Sequence, residues 1–151
     1  MSKFKYKFQN ILEIKHKIED QKKLSYFNAV QAHSSQLDEL YRMYDKKDDY
    51  ENNLKTNVKR VVTAKNLRDY YNGLERIVEF CKEEESKLAE LEQKLEITRI
   101  DMNTAVIDRK TYEKLKEKDF ERFLEDEKLK ENKIVDELIS YKYFKPQKTG
   151  G

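Results

Sequence analysis

Apolar residues recur at spacings of three and four along this chain, and the pattern predicts two long helices. In the second half, Leu74, Ile77, Cys81, Glu84, Leu88, Leu91, Leu95, Thr98, Met102 and Ala105 follow a 3-4 alternation, with eight of the ten apolar. That spacing is the seam of a coiled coil. Arg109 falls at the next seam position, beside Ile97, Ile100, Val106 and Ile107. Either an arginine in the seam sets register or the stripe rotates there; rotation is the favoured reading. In the first half the stripe runs through Phe4, Phe8, Ile11 and Ile18, then resumes at Tyr26, Val30, Leu37, Leu40, Tyr44, Leu54 and Val58. The jump from Ile18 to Tyr26 reads as a stutter that relaxes supercoiling. Lys47 and Glu51 stand at seam positions, where loose packing is expected.

The two helical stretches meet at a weak point. Asn52, Asn53 and Asn57 lower helix propensity ahead of the β-branched run Val61-Val62-Thr63. Thr63 before Ala64-Lys65-Asn66-Leu67 has the form of an N-cap opening a new helix. Asn72-Gly73 is a second candidate break, although one glycine costs a helix only about 1 kcal/mol and continuity is favoured. The expected fold is all-α: residues 1–145 form a single long antiparallel two-helix coiled-coil hairpin. Its first helix covers about 5–57, its turn about 58–63 and its second helix about 64–141, and 146–151 form a flexible polar tail. Two helices joined by a short turn pack antiparallel. At 1.5 Å per residue the first is roughly 80 Å long and the second roughly 115 Å.

The unequal lengths leave the second helix overhanging. A turn near residue 60 sets Phe4 opposite about residue 118, so 120–141 has no partner helix. That overhang carries Phe120, Phe123, Leu124, Ile134, Val135, Leu138 and Ile139. An uncovered apolar stripe marks an interaction surface. Self-association or folding back of the tail is the plainer alternative.

Composition strengthens the helical reading. Residues 1–145 contain no proline and one glycine, Gly73, where ordinary composition would place roughly seven prolines and ten glycines. Charged residues make up 41% of the 151 and hydrophobic residues 37%, with a net charge of only +2. Seventeen Tyr and Phe residues and balanced charge argue against disorder. The charges alternate in modest blocks, net +4 over 1–24 and −5 over 83–108, which suits solvated faces that help fix register. A nucleic-acid arm would show a sustained basic stripe and a pI above about 9, so no nucleic-acid partner is expected. The single Cys81 reads as a small buried hydrophobe. No apolar run approaches the roughly 18 residues of a membrane span, and the N-terminus lacks a signal-peptide core. A cytoplasmic protein is expected.

Catalytic constellations are missing. His16 and His33 stand alone, without the ligand spacing of a metal site. Glu83, Glu84 and Glu85 point in different directions around a helix. Asp45, Asp48 and Asp49 do not fit the EF-hand spacing. One glycine cannot build a phosphate loop, and a two-helix protein offers no concave active site. No enzyme, metal site or cofactor is expected. Near the start of the second helix, Gly73, Ile77, Phe80 and Glu84 trace a face spaced 4-3-4, with Phe80 and Tyr70 partly exposed. It reads as a wide apolar face sealing the hairpin or as a second docking site.

Three separated segments resemble one family. Phe4-Lys5-Tyr6-Lys7-Phe8-Gln9-Asn10-Ile11-Leu12 is similar to the N-terminal motif of the flagellar export protein FliJ. Tyr112-Glu113-Lys114-Leu115-Lys116-Glu117-Lys118, then Phe120-Glu121-Arg122-Phe123 and Asp136-Glu137-Leu138, resemble its C-terminal motif. The stretch from Asn53-Leu54 to Tyr70 also fits, so the resemblance covers nearly the whole chain. It implies a hairpin similar to the γ stalk of rotary ATPases, within the flagellar type III export apparatus. It further implies binding to the export ATPase FliI, contact with the export gate protein FlhA at the cytoplasmic face of the inner membrane, and a link to export chaperones. On this chain the ATPase ring would engage Lys116, Phe120, Arg122, Phe123, Leu124, Leu138 and Ile139. The gate patch would map onto Gly73, Ile77, Phe80 and Glu84, with Gly73 standing where some members carry a bulky apolar residue. The alternatives are a structural, self-associating coiled coil and the equivalent stalk of a virulence-type secretion system.

Overall fold

The computed structural model describes residues 2–58 and 63–144. Most of the expected turn and the whole expected tail lie outside the described residues. The fold is an all-α hairpin of two helices, α1 (Gln9–Val58, 50 residues) and α2 (Ala64–Phe144, 81 residues), with no strand among the described residues. Thr63 caps α2. Its hydroxyl accepts from the Asn66 amide at 3.3 Å and its carbonyl from the Leu67 amide at 3.1 Å, which satisfies donors that a helix start leaves unpaired. The helices form two compact units, one of residues 18–105 and one of the chain up to Lys17 together with Val106 onward.

In the unit of residues 18–105 the helices run antiparallel, since rising α1 numbers meet falling α2 numbers. His33 lies 3.5 Å from Glu92, Tyr44 donates to Glu85 at 2.5 Å, and Tyr50 meets Tyr70 edge-on with centroids 5.9 Å apart. Ala29, Leu40, Cys81, Ala105 and the carboxylate-bearing Glu19 are buried. The α1 seam keeps Tyr26, Leu40 and Leu54 of the expected stripe and differs from it elsewhere. Shielded residues fall at 19, 22, 26, 29, 33, 36, 40, 43, 47, 50 and 54, a 3-4 alternation with no stutter. Val30 instead lies on the exposed side, next to buried Ala29. The seam is disguised because Glu19, Lys22, His33, Gln36 and Lys47 occupy it, with aliphatic stems or hydrogen bonds serving where apolar side chains were sought. Lys47 and Glu51 are both half-buried there.

The other unit pairs the beginning of α1 with α2 from Val106. Leu12 is buried and Ile11 is exposed, again one residue away from the expected stripe. Lys15 lies 3.7 Å from Asp108, and His16 lies 3.4 Å from Glu113. Glu113 also accepts from Arg109 at 2.8 Å. Arg109 is half-buried, and the shielded positions continue through 109, 112, 116, 119 and 123. The stripe therefore does not rotate at Arg109; the arginine stays in the seam with Glu113 one turn on.

Residues 2–8 are not helical. Here α1 was expected from about residue 5, with Phe4 and Phe8 on one face. The sequence instead alternates Lys3, Lys5 and Lys7 with Phe4, Tyr6 and Phe8, a period of two that belongs to extended chain. Exposure follows it: the three lysines are exposed, Tyr6 is buried, and Phe4 and Phe8 are half-buried. The α1 backbone starts after this segment, with the Gln9 amide donating to the Tyr6 carbonyl at 3.2 Å.

Candidate docking surfaces

The extended segment lies against α2 through its aromatic side chains. Phe4 meets Phe120 edge-on at 5.2 Å and Phe123 at 5.5 Å between ring centroids, and Phe120 and Phe123 stack at 6.4 Å. The Tyr6 hydroxyl donates to the Tyr112 carbonyl at 2.9 Å, and Phe8 meets the Tyr112 ring at 6.1 Å. Burial, then Asp119 and Tyr112, push the Tyr6 phenol above its ordinary value. Ser2 donates to the Glu127 carboxylate and holds it below its ordinary value. An extended chain advances about 3.3 Å per residue against 1.5 Å for a helix, so seven residues ahead of α1 reach as far as Glu127. Phe120 and Phe123, expected to have no partner, are thus partly covered.

The seven residues expected at the ATPase end all lie in this unit, and they divide into two groups. Lys116 donates to Gln9 at 2.8 Å, while Phe120 and Phe123 contact Phe4. Arg122, Leu124, Leu138 and Ile139 are exposed, and Phe120 is still 43% exposed beside Phe4. From residue 128 to 144 every residue of α2 is exposed, including Leu129, Ile134, Val135, Leu138, Ile139, Tyr141, Tyr143 and Phe144. Eight large apolar or aromatic side chains within seventeen residues exceed the scattered single exposures of an ordinary surface.

The four residues of the other expected patch lie in the unit of residues 18–105. Phe80 is 53% exposed. Ile77 is half-buried. Gly73 lies beneath the Tyr50 ring, where an added Cβ would come within 2.8 Å of Cζ. Glu84 faces α1. The Gln36 amide donates to its carboxylate and, at 3.2 Å, to its carbonyl, and Lys87 donates at 3.1 Å. These bonds, Gln36 first, hold the Glu84 carboxyl below the usual carboxylate range. Opposite Glu85, the Tyr44 phenol is pushed up to about 12, chiefly by the hydrogen bond that it donates.

Phe4, Tyr6 and Tyr50 were not among the expected site residues. The lysine–aromatic alternation could have found the first two. Tyr50 is legible only from its contact with Gly73.

Among the described residues no group of three or more His, Cys, Asp or Glu could hold a metal ion, and no helix is long and apolar enough to cross a membrane. The fold is that of a helical hairpin with a run of exposed apolar side chains on α2. The family model described as "Flagellar FliJ protein" matches residues 4–148. The chain belongs to the FliJ family, whose members are related to flagellar protein export. The flagellar FliJ protein of Bacillus subtilis (strain 168) is 28% identical over 145 residues, covering 93% of this chain and 95% of that relative. No solved structure matches this chain.

Proposed function

We propose that this protein is a stalk of the flagellar export apparatus that binds the export ATPase FliI through the unit that pairs the start of the chain with α2 from Val106. The docking residues are Lys116, Phe120, Arg122, Phe123, Leu124, Leu138 and Ile139. The observation that carries this reading is the run of α2 from 128 to 144, helical throughout and exposed at every position. No described residue covers its apolar side chains, and area removed from water stabilises a complex by about 25 cal/mol per Å² before ordering costs.

In the unit of residues 18–105, Gly73, Ile77, Phe80 and Glu84 contact the export gate protein FlhA, with Phe80 as the exposed apolar group. The protein works at the cytoplasmic face of the inner membrane through these partners and also handles export chaperones. Its mechanism is mechanical and allosteric: an asymmetric helical element in the ATPase ring couples ATP turnover to the gate. Titrating the protein into the cognate export ATPase tests this. Stimulated turnover and co-sedimentation are expected, and neither occurring contradicts it. The same exposed stripe supports a second reading, self-association, which a stable higher oligomer of the pure protein in sedimentation would favour.

A further inference from the structure

We propose that residues 2–5 form a displaceable strap that masks part of the ATPase-docking surface while the protein is free. The proposal rests on the reading that Phe120 and Phe123 dock the ATPase, and it adds a regulation of that site. Phe4 packs edge-on against Phe120 and tilted against Phe123, at 5.2 and 5.5 Å, and covers part of each ring while Phe120 stays 43% exposed. Ser2 reaches past them to Glu127. The strap therefore lies on the docking residues themselves.

What holds the strap is side-chain contact. The backbone bonds described around it, Gln9 amide to Tyr6 carbonyl and Leu12 amide to Phe8 carbonyl, belong to the entry of α1. Its two ends differ in grip. Tyr6 is 7% exposed and bonded to the Tyr112 carbonyl, whereas Phe4 is half-buried and Ser2, Lys3 and Lys5 are exposed. Residues 2–5 can lift about Tyr6 while α1 and α2 stay paired. Lys3 and Lys5 already face water, so lifting desolvates no charge, and a partner that covers Phe120 and Phe123 replaces the one apolar contact that is lost. The free protein keeps part of its aromatic cluster covered, and that covering is exchanged for the ATPase on docking.

Two full-length variants test the strap by their affinity for the purified cognate export ATPase. In Phe4→Ala the cover is removed outside both helices, so helicity by circular dichroism stays unchanged, and binding tightens by about two- to tenfold, the range of one aromatic contact. In the second, Ser2→Cys and Glu127→Cys are joined by a reducible bis-maleimide while Cys81 stays buried; binding weakens at least severalfold and recovers on reduction. Unchanged or weaker binding by Phe4→Ala, or undiminished binding by the cross-linked protein, overturns the strap while wild-type binding upholds the docking site. If no form binds the ATPase, the docking reading falls and the strap falls with it.

Discussion

The phenol end of Tyr50 lies over Gly73, so close that a Cβ on residue 73 would clash with the hydroxyl oxygen and approach Cζ to 2.8 Å. Tyr50 also packs edge-on against Tyr70, one turn before Gly73 on α2. The one glycine before the C-terminal tail is thus where a tyrosine from α1 meets α2 at close range. Replacing glycine by alanine inside a helix ordinarily stabilises by about 1 kcal/mol. Here the methyl must displace the Tyr50 ring. Gly73→Ala is expected to bring no gain in the otherwise unchanged protein and to recover its gain of about 1 kcal/mol in a Tyr50→Ala background. Thermal melts of the four proteins measure this, and an equal gain in both backgrounds contradicts the contact.

The hydrogen bonds of Glu84 make the pairing of α1 with α2 sensitive to acid. Its carboxyl is held below the ordinary 4.5 by Gln36 and Lys87. The contribution is therefore present above that value and is lost as pH falls through the lowered one. Melting temperature should fall on acidification below about pH 4.5, and less steeply in Glu84→Gln, which stays neutral throughout. Parallel acid limbs in the two proteins would count against the bond.

At the alkaline end the sign reverses. The Tyr44 phenol must stay protonated to donate to Glu85, and its pKa is raised from 10.0 to about 12. Its contribution is complete below pH 10 and is lost as pH rises towards 12. Tyr44→Phe should therefore be less stable than the unchanged protein at pH 8, with the difference shrinking above pH 10. A difference constant from pH 8 to 12 contradicts this assignment.

Glu19 is buried at a seam position with Lys23 at 3.1 Å. Lys23 is 56% exposed, so the pair is anchored by the buried carboxylate alone, and removing that carboxylate loses its bonds and the packing of its stem. Glu19→Ala should lower stability by about 1 kcal/mol, read as a shift in denaturant midpoint. An unchanged or higher midpoint would count against Glu19 as a seam contact.

Much of the fold was legible because its signals are local. The absence of breakers, the α2 heptads and the Thr63 cap each concern neighbouring residues. The α1 seam was harder to read because Glu19, Lys22, His33 and Gln36 hold the regular spacing, while Leu24, Phe27 and Val30 stand off it and are exposed. Hydropathy alone follows the wrong residues there. The alternation in residues 3–8 was visible, but a helical spacing of four from Phe4 to Phe8 competes with it, and only the contacts with Phe120, Phe123 and Tyr112 decide between them. At the candidate sites the exposure of Leu138 and Ile139 followed from unequal helix lengths. The covers over Phe120 and Gly73 did not, because each comes from a residue distant in sequence.

The exposed end of α2 as the ATPase-docking element is the central claim. Leu138 and Ile139 are 63% and 47% exposed, so charged substitutions there leave the helix pairing intact. The most direct measurement is the turnover of the cognate export ATPase with the unchanged protein and with Leu138→Glu/Ile139→Glu at matched helicity. Stimulation by the unchanged protein that falls at least tenfold in the variant is the predicted result; full stimulation by the variant contradicts it.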